Sequence, residues 1–419
     1  MQTFTGWQYL LIDVANQFGH DKMLFEDRIA WAELNLHHLE KLVDAAETKP
    51  LYMKGVQAIR KAQKGIATGH LIGFDACCSG VQIMSAITGC VAGATATGLV
   101  DPNVRADAYS TMTETMNELL HSQGISVNVS RKQAKEATMT SFYGSKAKPI
   151  EIFGEKTPEL EAFYKAATIV APGAWELLQD LLASWQPYTL YHAWKLPDGY
   201  DARVKVMEKK ESRIEVDELD HATFTYEYYV NEGTKKGLSN VANVVHSIDA
   251  YVLRSIHRRC NYDREVVLRA MGFLLDEQEA RVQGFAEQQP RVQCEHDKLD
   301  YYLTQYERSG MADVIILNHI TTAYDAQYLS DALITRLLEI IESMLAYKPF
   351  EVITIHDEFK CHPNHMNHLR QQYINIFAEL AESNILSDIL SQIHGCKGSF
   401  PKLSTDLAEK IRGSNYALS

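Results

Sequence analysis

The sequence predicts a helix-rich α+β fold. Most of the chain carries apolar residues near helical spacing, and only a few short β-branched or aromatic runs interrupt it. Two of those runs lead into acidic residues, Leu71–Phe74 directly into Asp75 and Val352–Ile355 through His356 into Asp357. Composition agrees: 419 residues, 46% hydrophobic and 23% charged, are ordinary for a soluble globular protein and exclude a disordered, collagen-like or disulfide-stapled chain. The formal net charge of −13 argues against a protein that coats nucleic acid non-specifically, while leaving room for one basic cleft on an acidic body. Seven scattered cysteines with no C-x-x-C pair read as reduced thiols of a cytosolic protein. The N-terminus lacks a basic region followed by an apolar run, so no signal peptide is expected.

Taken in order, a helix is expected over Met1–Phe18, broken by Gly19-His20-Asp21-Lys22, and a second from Phe25 to Ala46. His70–Phe74 reads as a strand that delivers Asp75. Residues 76–100 carry no charge but are rich in small and hydroxyl residues, which predicts a buried core helix rather than a membrane span. Asp101-Pro102 signals a helix running to Ser122, and Arg131 starts one that ends at Tyr143-Gly144. Pro197-Asp198-Gly199 is a turn between two strands. Residues 240–260 are helical. Residues 261–310, with ten acidic and six basic side chains, read as solvent-exposed helices. An amphipathic helix follows over 329–346, then a strand, Glu351–Ile355, ending in His356-Asp357-Glu358.

Two carboxylates at strand ends can hold a pair of Mg²⁺ ions, which clamp the attacking and leaving oxygens of an in-line phosphoryl transfer. Alone, each of Asp75 and Asp357 reads as an ordinary strand-end turn residue. The Arg131 helix adds to this. Residues four apart drift by only about 40° around a helix, so Arg131, Lys135, Met139 and Tyr143 share one face. Two cations followed by an aromatic ring suit a triphosphate at one end and a base and sugar at the other. Asn128–Lys148 holds five basic residues and one acidic residue, a basic patch on an acidic chain.

Five blocks in order resemble the phage-type single-subunit DNA-dependent RNA polymerases. Phe74-Asp75-Ala-Cys-Cys-Ser79-Gly80-Val-Gln82 is similar to motif A of that family. Arg131-x3-Lys135-x7-Tyr143-Gly144-Ser145-Lys146 is similar to motif B, and His356-Asp357-Glu358-Phe359 to motif C. Asn243-Val-Val-His246-Ser247-Ile-Asp249 resembles the family's His-Ser-x-Asp helix, and Gly19-x-Asp21-Lys22-x2-Phe25-x2-Arg28 its N-terminal palm segment. The resemblance implies a right-hand palm and fingers, family A polymerase-like, lacking a thumb and N-terminal domain. It implies a palm N-terminal part over 1–100, fingers over 101–245, a palm C-terminal part over 246–260 and 336–419, and a helical acidic insertion over 261–335.

By the same resemblance, Asp75 and Asp357 bind two Mg²⁺ ions with the backbone carbonyl of Ala76. Lys22, Arg131 and Lys135 contact the triphosphate of an NTP, and Lys135 protonates the leaving pyrophosphate. Tyr143 checks the ribose 2′-hydroxyl, His246 contacts the nucleotide or the nascent pair, and Tyr109 braces the pocket. Glu358 departs from the Ser common in the family and matches family A DNA polymerases. Those enzymes, however, place a Glu at the position of Gly80 and an aromatic at that of Met139, so both positions favour ribonucleotides. The alternatives are a family A-like DNA polymerase and a non-catalytic nucleic-acid-binding subunit.

The sequence shows no Asp-x-x-Gly-Arg motif. A palm sheet without that strand has an unpaired edge, so a second subunit is expected to supply the thumb and N-terminal palm, around a DNA template and RNA product. The resemblance points to the catalytic subunit of the two-chain middle-gene enzyme of podophages that carry a giant virion RNA polymerase. That places it in the cytoplasm of an infected bacterium, with no membrane association. The insertion reads as a docking surface for the partner or a single-stranded-DNA-binding factor. His257-x2-Cys260 with Cys294-x-His296 does not fit common zinc spacing. His362, His365 and His368 read as an exposed helix start, and Trp7 and Trp31 as core packing.

Overall fold

The computed structural model describes residues 1–233, 237 and 239–419. The first helices are α1 (Gly6–Ala15), α2 (Phe25–Leu34) and α3 (Lys49–Gln63). Thr5 and Gln8 form a reciprocal capping box, so α1 starts later than expected. It runs on into a π-helical turn, Asn16–His20, where Gly19 turns the chain at φ 116°. The expected Phe25–Ala46 helix is two pieces. The Asn35 side chain donates to the Trp31 carbonyl, α2 ends at Leu34, and a 3₁₀ segment, Leu39–Ala45, follows.

Next come β1 (Ile72–Asp75), α4 (Ser79–Thr88) and α5 (Val91–Ala96). The uncharged stretch after Asp75 is indeed core: every residue of α4 from Gly80 to Ile87 is buried. α4 packs against five other helices, and its one large polar group is fully used. The Gln82 amide donates to the Thr97 and Ala417 carbonyls and accepts from the Tyr373 hydroxyl. No helix among the described residues is long and apolar enough to cross a membrane.

The helical layer continues with α6 (Ala108–Ser122), α7 (Arg131–Ser141), α8 (Ala147–Phe153), α9 (Pro158–Val170) and α10 (Pro172–Ala183). α6 does not begin at Asp101-Pro102. Asp101 caps its own small turn through Asn103 N–H, and Asp107 is the residue that accepts from the Tyr109 N–H. β2 (Tyr191–Lys195) and β3 (Asp201–Lys205) flank the Pro197-Asp198-Gly199 turn as expected. β4 (Met207–Val216) and β5 (Ala222–Gly233) form a separate two-stranded ribbon. α11 (Ser239–Cys260) returns the chain to the main core.

Residues 261–345 hold a second hydrophobic core built by α12 (Arg264–Val282), α13 (Asp297–Ser309), α14 (Ala323–Ala326) and α15 (Asp331–Leu345). Two expectations change here. The charged helices are not simply solvated, because Val267, Leu274, Leu299 and Leu303 are buried among themselves and α15. The 335/336 boundary also falls inside α15, whose buried residues from Leu333 to Met344 all belong to the second core.

The chain then forms β6 (Ile353–Ile355), β7 (Glu358–Cys361), α16 (Met366–Glu382), α17 (Ile385–His394) and α18 (Leu407–Arg412). Strands order as β1-β7-β6, all antiparallel. Phe74 and Phe359 face the core, whereas Asp75, Glu358 and Lys360 alternate to the other face. The other edge of β1 meets the last residues: Ala76 bridges Leu418, and the Ser419 N–H donates to the Asp75 carbonyl. The histidines after β7 are not an exposed cluster. His368 is buried against Tyr347 and Phe350, and His365 stacks on Phe350.

Candidate active site

The hairpin β6–β7 sets the site. Ile355 pairs with Glu358, leaving His356-Asp357 as a two-residue turn. His356 adopts φ 56°, the left-handed value that such turns require and that a non-glycine residue adopts at a cost. In the β1–β7 register Asp75 stands opposite Glu358, and the Ala76 N–H donates to the Asp357 carbonyl at 3.2 Å. Two acidic residues far apart in sequence therefore meet at one edge of one sheet. Both line a cavity of about 300 Å³ with Lys22, Ala76, Tyr109, Arg131 and Lys135.

The floor of this cavity is negatively charged. Loss of water around the Asp75 carboxyl raises its pKa, and Glu358 and Asp357 add to the shift, to about 6. Asp249 on α11 is likewise raised to about 6 by burial and by Asp357. Glu358 is neutralised by Lys360 at 2.9 Å, but the described residues give Asp75 and Asp357 no ion-pair partner. Crowded carboxylates and a nearby carbonyl are hard oxygen donors short of a cation, a set that fits Mg²⁺. Asp75, Asp357 and the Ala76 carbonyl could hold it.

The opposite wall is cationic. Ser130 and Gln133 form a capping box that starts α7 at Arg131. Arg131 donates from Nε to Asp107 at 2.7 Å, so the residue that caps α6 also orients the first cation of α7. Burial alone would raise the Asp107 carboxyl, but the hydrogen bonds from Arg131 and Ser110 bring it below its usual range. Arg131 and Lys135 both lie over the Tyr109 ring, 5.7 and 5.6 Å from its centroid. Lys22 reaches the cavity from the segment after Gly19, beside Asp21 at 2.8 Å.

The single face expected of α7 is partly seen. Arg131, Lys135 and Met139 all line the cavity, but α7 ends at Ser141 and Tyr143 sits in the turn beyond it. Tyr143 joins the site by another route. Its ring lies 5.0 Å from that of His246, and its hydroxyl packs on Gly80. A Cβ at Gly80 would stand 2.4 Å from the Tyr143 oxygen. The space above Gly80 is thus filled by that hydroxyl rather than left open. Cys78, between Asp75 and α4, adopts φ 58°, so a strained residue lies close to each acid, Cys78 after Asp75 and His356 before Asp357.

Asp107, Glu358 and Asp249 contribute to this site beyond the site residues expected from sequence; Glu358 and Asp249 lie inside the motif C and His-Ser-x-Asp blocks, and Asp107 has only its place two residues before Tyr109 as a signal. A group of Glu215, Asp217 and His221 also comes together, but it is exposed on the ribbon's tip, away from the cavity. The pairs His257/Cys260 and Cys294/His296 form no such group among the described residues; Cys260 is fully buried and His296 faces Asp325.

Residues 2–152 match the family model for DNA-dependent RNA polymerase. That stretch is RNA-polymerase-like. It contains Lys22, Asp75, Gly80, Tyr109, Arg131, Lys135 and Tyr143, whereas His246 and Asp357 reach the same site from outside it. The chain is 28% identical over 177 residues to a DNA-directed RNA polymerase of Pseudomonas phage phiKMV, covering 35% of this chain and 22% of that one. It is 28% identical over 176 residues to the mitochondrial DNA-directed RNA polymerase 1 of Arabidopsis thaliana, covering 33% and 18%. The chain therefore spans about a fifth of the length of these curated relatives.

Proposed function

We propose that this chain is the catalytic part of a DNA-directed RNA polymerase, which transfers nucleotides from NTPs to the 3′ end of RNA on a DNA template. One observation carries the reading: the β1–β7 register brings Asp75 and Asp357 into one cavity with Lys22, Arg131 and Lys135. Asp75, Asp357 and the Ala76 carbonyl would hold two Mg²⁺ ions, whose chemistry is to polarise the phosphate and lower the pKa of the attacking hydroxyl. The three cations would take the triphosphate and offset its charge as it builds. Tyr143 would meet the ribose, positioned by Gly80 and His246; Tyr109 keeps Arg131 and Lys135 in place through its ring face. A soluble enzyme acting in the cytoplasm of an infected bacterium is consistent with the phage relative.

The reading extends to a two-chain enzyme of the podophage middle-gene type. Its support is the sheet edge: among the described residues nothing pairs with the outer side of β6, and Ile353 and Ile355 are exposed there. A strand from a second subunit that also supplies the thumb would pair with this edge. The His356-Asp357-Glu358 triad favours one rival, a family A-like DNA polymerase.

Primer extension on an RNA–DNA scaffold with Mg²⁺ decides between these. The chain is assayed alone and with the protein that co-purifies with it, with NTPs or dNTPs. Extension with NTPs that Asp357→Asn abolishes supports the reading. Preferential use of dNTPs moves the DNA polymerase to the front, and an inert but folded chain that still binds the scaffold identifies a non-catalytic subunit.

A further inference from the structure

Arg105 is a cation that neither the family match nor the motifs assign a role. It lies in the loop between α5 and α6, two residues before the Asp107 cap, and lines the catalytic cavity. It also lines a second, open groove of about 670 Å³ that runs past Thr95, Ser110, Thr111 and Thr115. The cavity and the groove share Lys22, Arg105 and Asp107, so they are contiguous, and these three residues form the threshold between them.

The bonding of Arg105 is incomplete. Nη1 donates to the Ala106 carbonyl at 2.7 Å, and Nε is buried with no partner. No described carboxylate forms an ion pair with it. The other cavity arginine, Arg131, is committed to Asp107. Arg28 and Arg370 also lack carboxylates, but carbonyl, amide or hydroxyl oxygens take three or more bonds from each. Arg105 alone of these combines a half-buried guanidinium, an unused donor and a position at a cavity mouth. A buried donor left without a partner is costly, and a guanidinium is matched by phosphate oxygens taken two at a time.

We infer that Arg105 is a pyrophosphate-binding residue and that the groove beyond it is the route by which pyrophosphate leaves. The inference rests on the polymerase reading. In nucleotidyl transfer the 3′ oxygen bonds to the α-phosphorus and the bond from that phosphorus to the β-phosphate oxygen breaks. The electron pair leaves with the pyrophosphate, which takes up a proton in place of the one lost from the attacking hydroxyl. The product must then move off Arg131 and Lys135. Arg105 and Lys22 are the next cations on the way out, and the groove walls past them are mostly small and hydroxyl-bearing, with Glu114 the further charge.

The test is titration calorimetry of inorganic pyrophosphate with Mg²⁺ into the full chain, comparing wild type, Arg105→Gln, Arg105→Lys and Lys132→Gln. Lys132 is an exposed neighbour on α7 that does not line the cavity. Arg105→Gln is expected to weaken binding about tenfold, the size of one charge-assisted hydrogen bond, Arg105→Lys to recover part of the loss, and Lys132→Gln to change it less than twofold. A loss in Arg105→Gln no larger than in Lys132→Gln, or one that tracks a fallen melting temperature, overturns the inference, as does a wild type that binds no pyrophosphate. Failed primer extension with and without the co-purifying protein, but with intact, Arg105-dependent pyrophosphate binding, would sink the polymerase reading and the exit route with it, while leaving Arg105 as a pyrophosphate-binding residue. Normal extension with pyrophosphate binding indifferent to Arg105 would sink this inference alone.

Discussion

The Asp75–Asp357 cavity and the second core treat charge in opposite ways. In the second core the part-buried charges are closed into networks. Arg281 binds Glu277 and Asp331 and donates to the Leu329 and Gln327 carbonyls. Arg291 holds Asp300, Glu307 and Thr304, and Asp325 accepts from two backbone N–H groups and two hydroxyls. In the cavity, Asp75 and Asp357 crowd each other without a cation, and Arg105 has a donor to spare. The same residue types stabilise one region and are held in tension in the other. A charge whose partners lie within the chain serves the fold; a charge left without one awaits a ligand.

Breaking the comparison at the cavity should cost activity and not fold. Asp357→Asn is expected to lower primer extension by at least about 10³-fold, about 4 kcal/mol of transition-state stabilisation, with an unchanged or raised melting temperature by calorimetry. Breaking it at the second core should do the reverse. Arg281→Ala leaves Glu277 and two carbonyls unpaired and is expected to cost about 3 kcal/mol in a denaturant titration, while extension per folded molecule stays the same.

His368 sharpens the contrast, because it is a buried ionisable group with neither a counter-charge nor a ligand to meet. Burial lowers its pKa to about 4 from the usual 6.5. The unfolded chain thus binds a proton that the folded one refuses. The stability it allows is fully present above pH 6.5 and falls as pH drops toward 4, by up to about 3 kcal/mol. His368→Phe should flatten the melting temperature across that window; an unaltered slope would mean another group is responsible.

The smallest effect expected is at Gly80 and Tyr143. Tyr143→Phe should reduce NTP-over-dNTP discrimination about tenfold, the size of one hydrogen bond. Gly80→Ala pushes on the same hydroxyl and should do likewise. The two changes together should then cost less than their sum, because they act on one contact. Strict additivity would separate the two residues.

Much of this site was legible because strand ends and helix faces have fixed geometry. Asp75 and Asp357 were visible as acids ending apolar runs, and Arg131 and Lys135 as cations one turn apart. The turn at Pro197-Asp198-Gly199 and the α11 helix were equally plain. What escaped depended on contacts distant in sequence. Nothing local shows that Asp107 caps α6 while holding Arg131, or that Tyr143 lies on Gly80. The charged stretch after Asn261 looked solvated because its apolar residues are spread among salt-bridged ones, and only α15 completes the core they face. Asp101-Pro102 carried a good helix-start signal but lost to Asp107.

α11 has a mechanical consequence. Near its start His246 touches Tyr143, and near its end Arg254 and Arg258 grip Asp198 and Asp313 while Arg259 grips Glu379. No glycine or proline lies between residues 239 and 260. From His246 to Arg258 the rod is about 18 Å long and has no soft joint. The two cores are therefore mounted on one strut, and a shove delivered to the second core at Asp313 arrives at the Tyr143–His246 contact as displacement rather than being absorbed on the way.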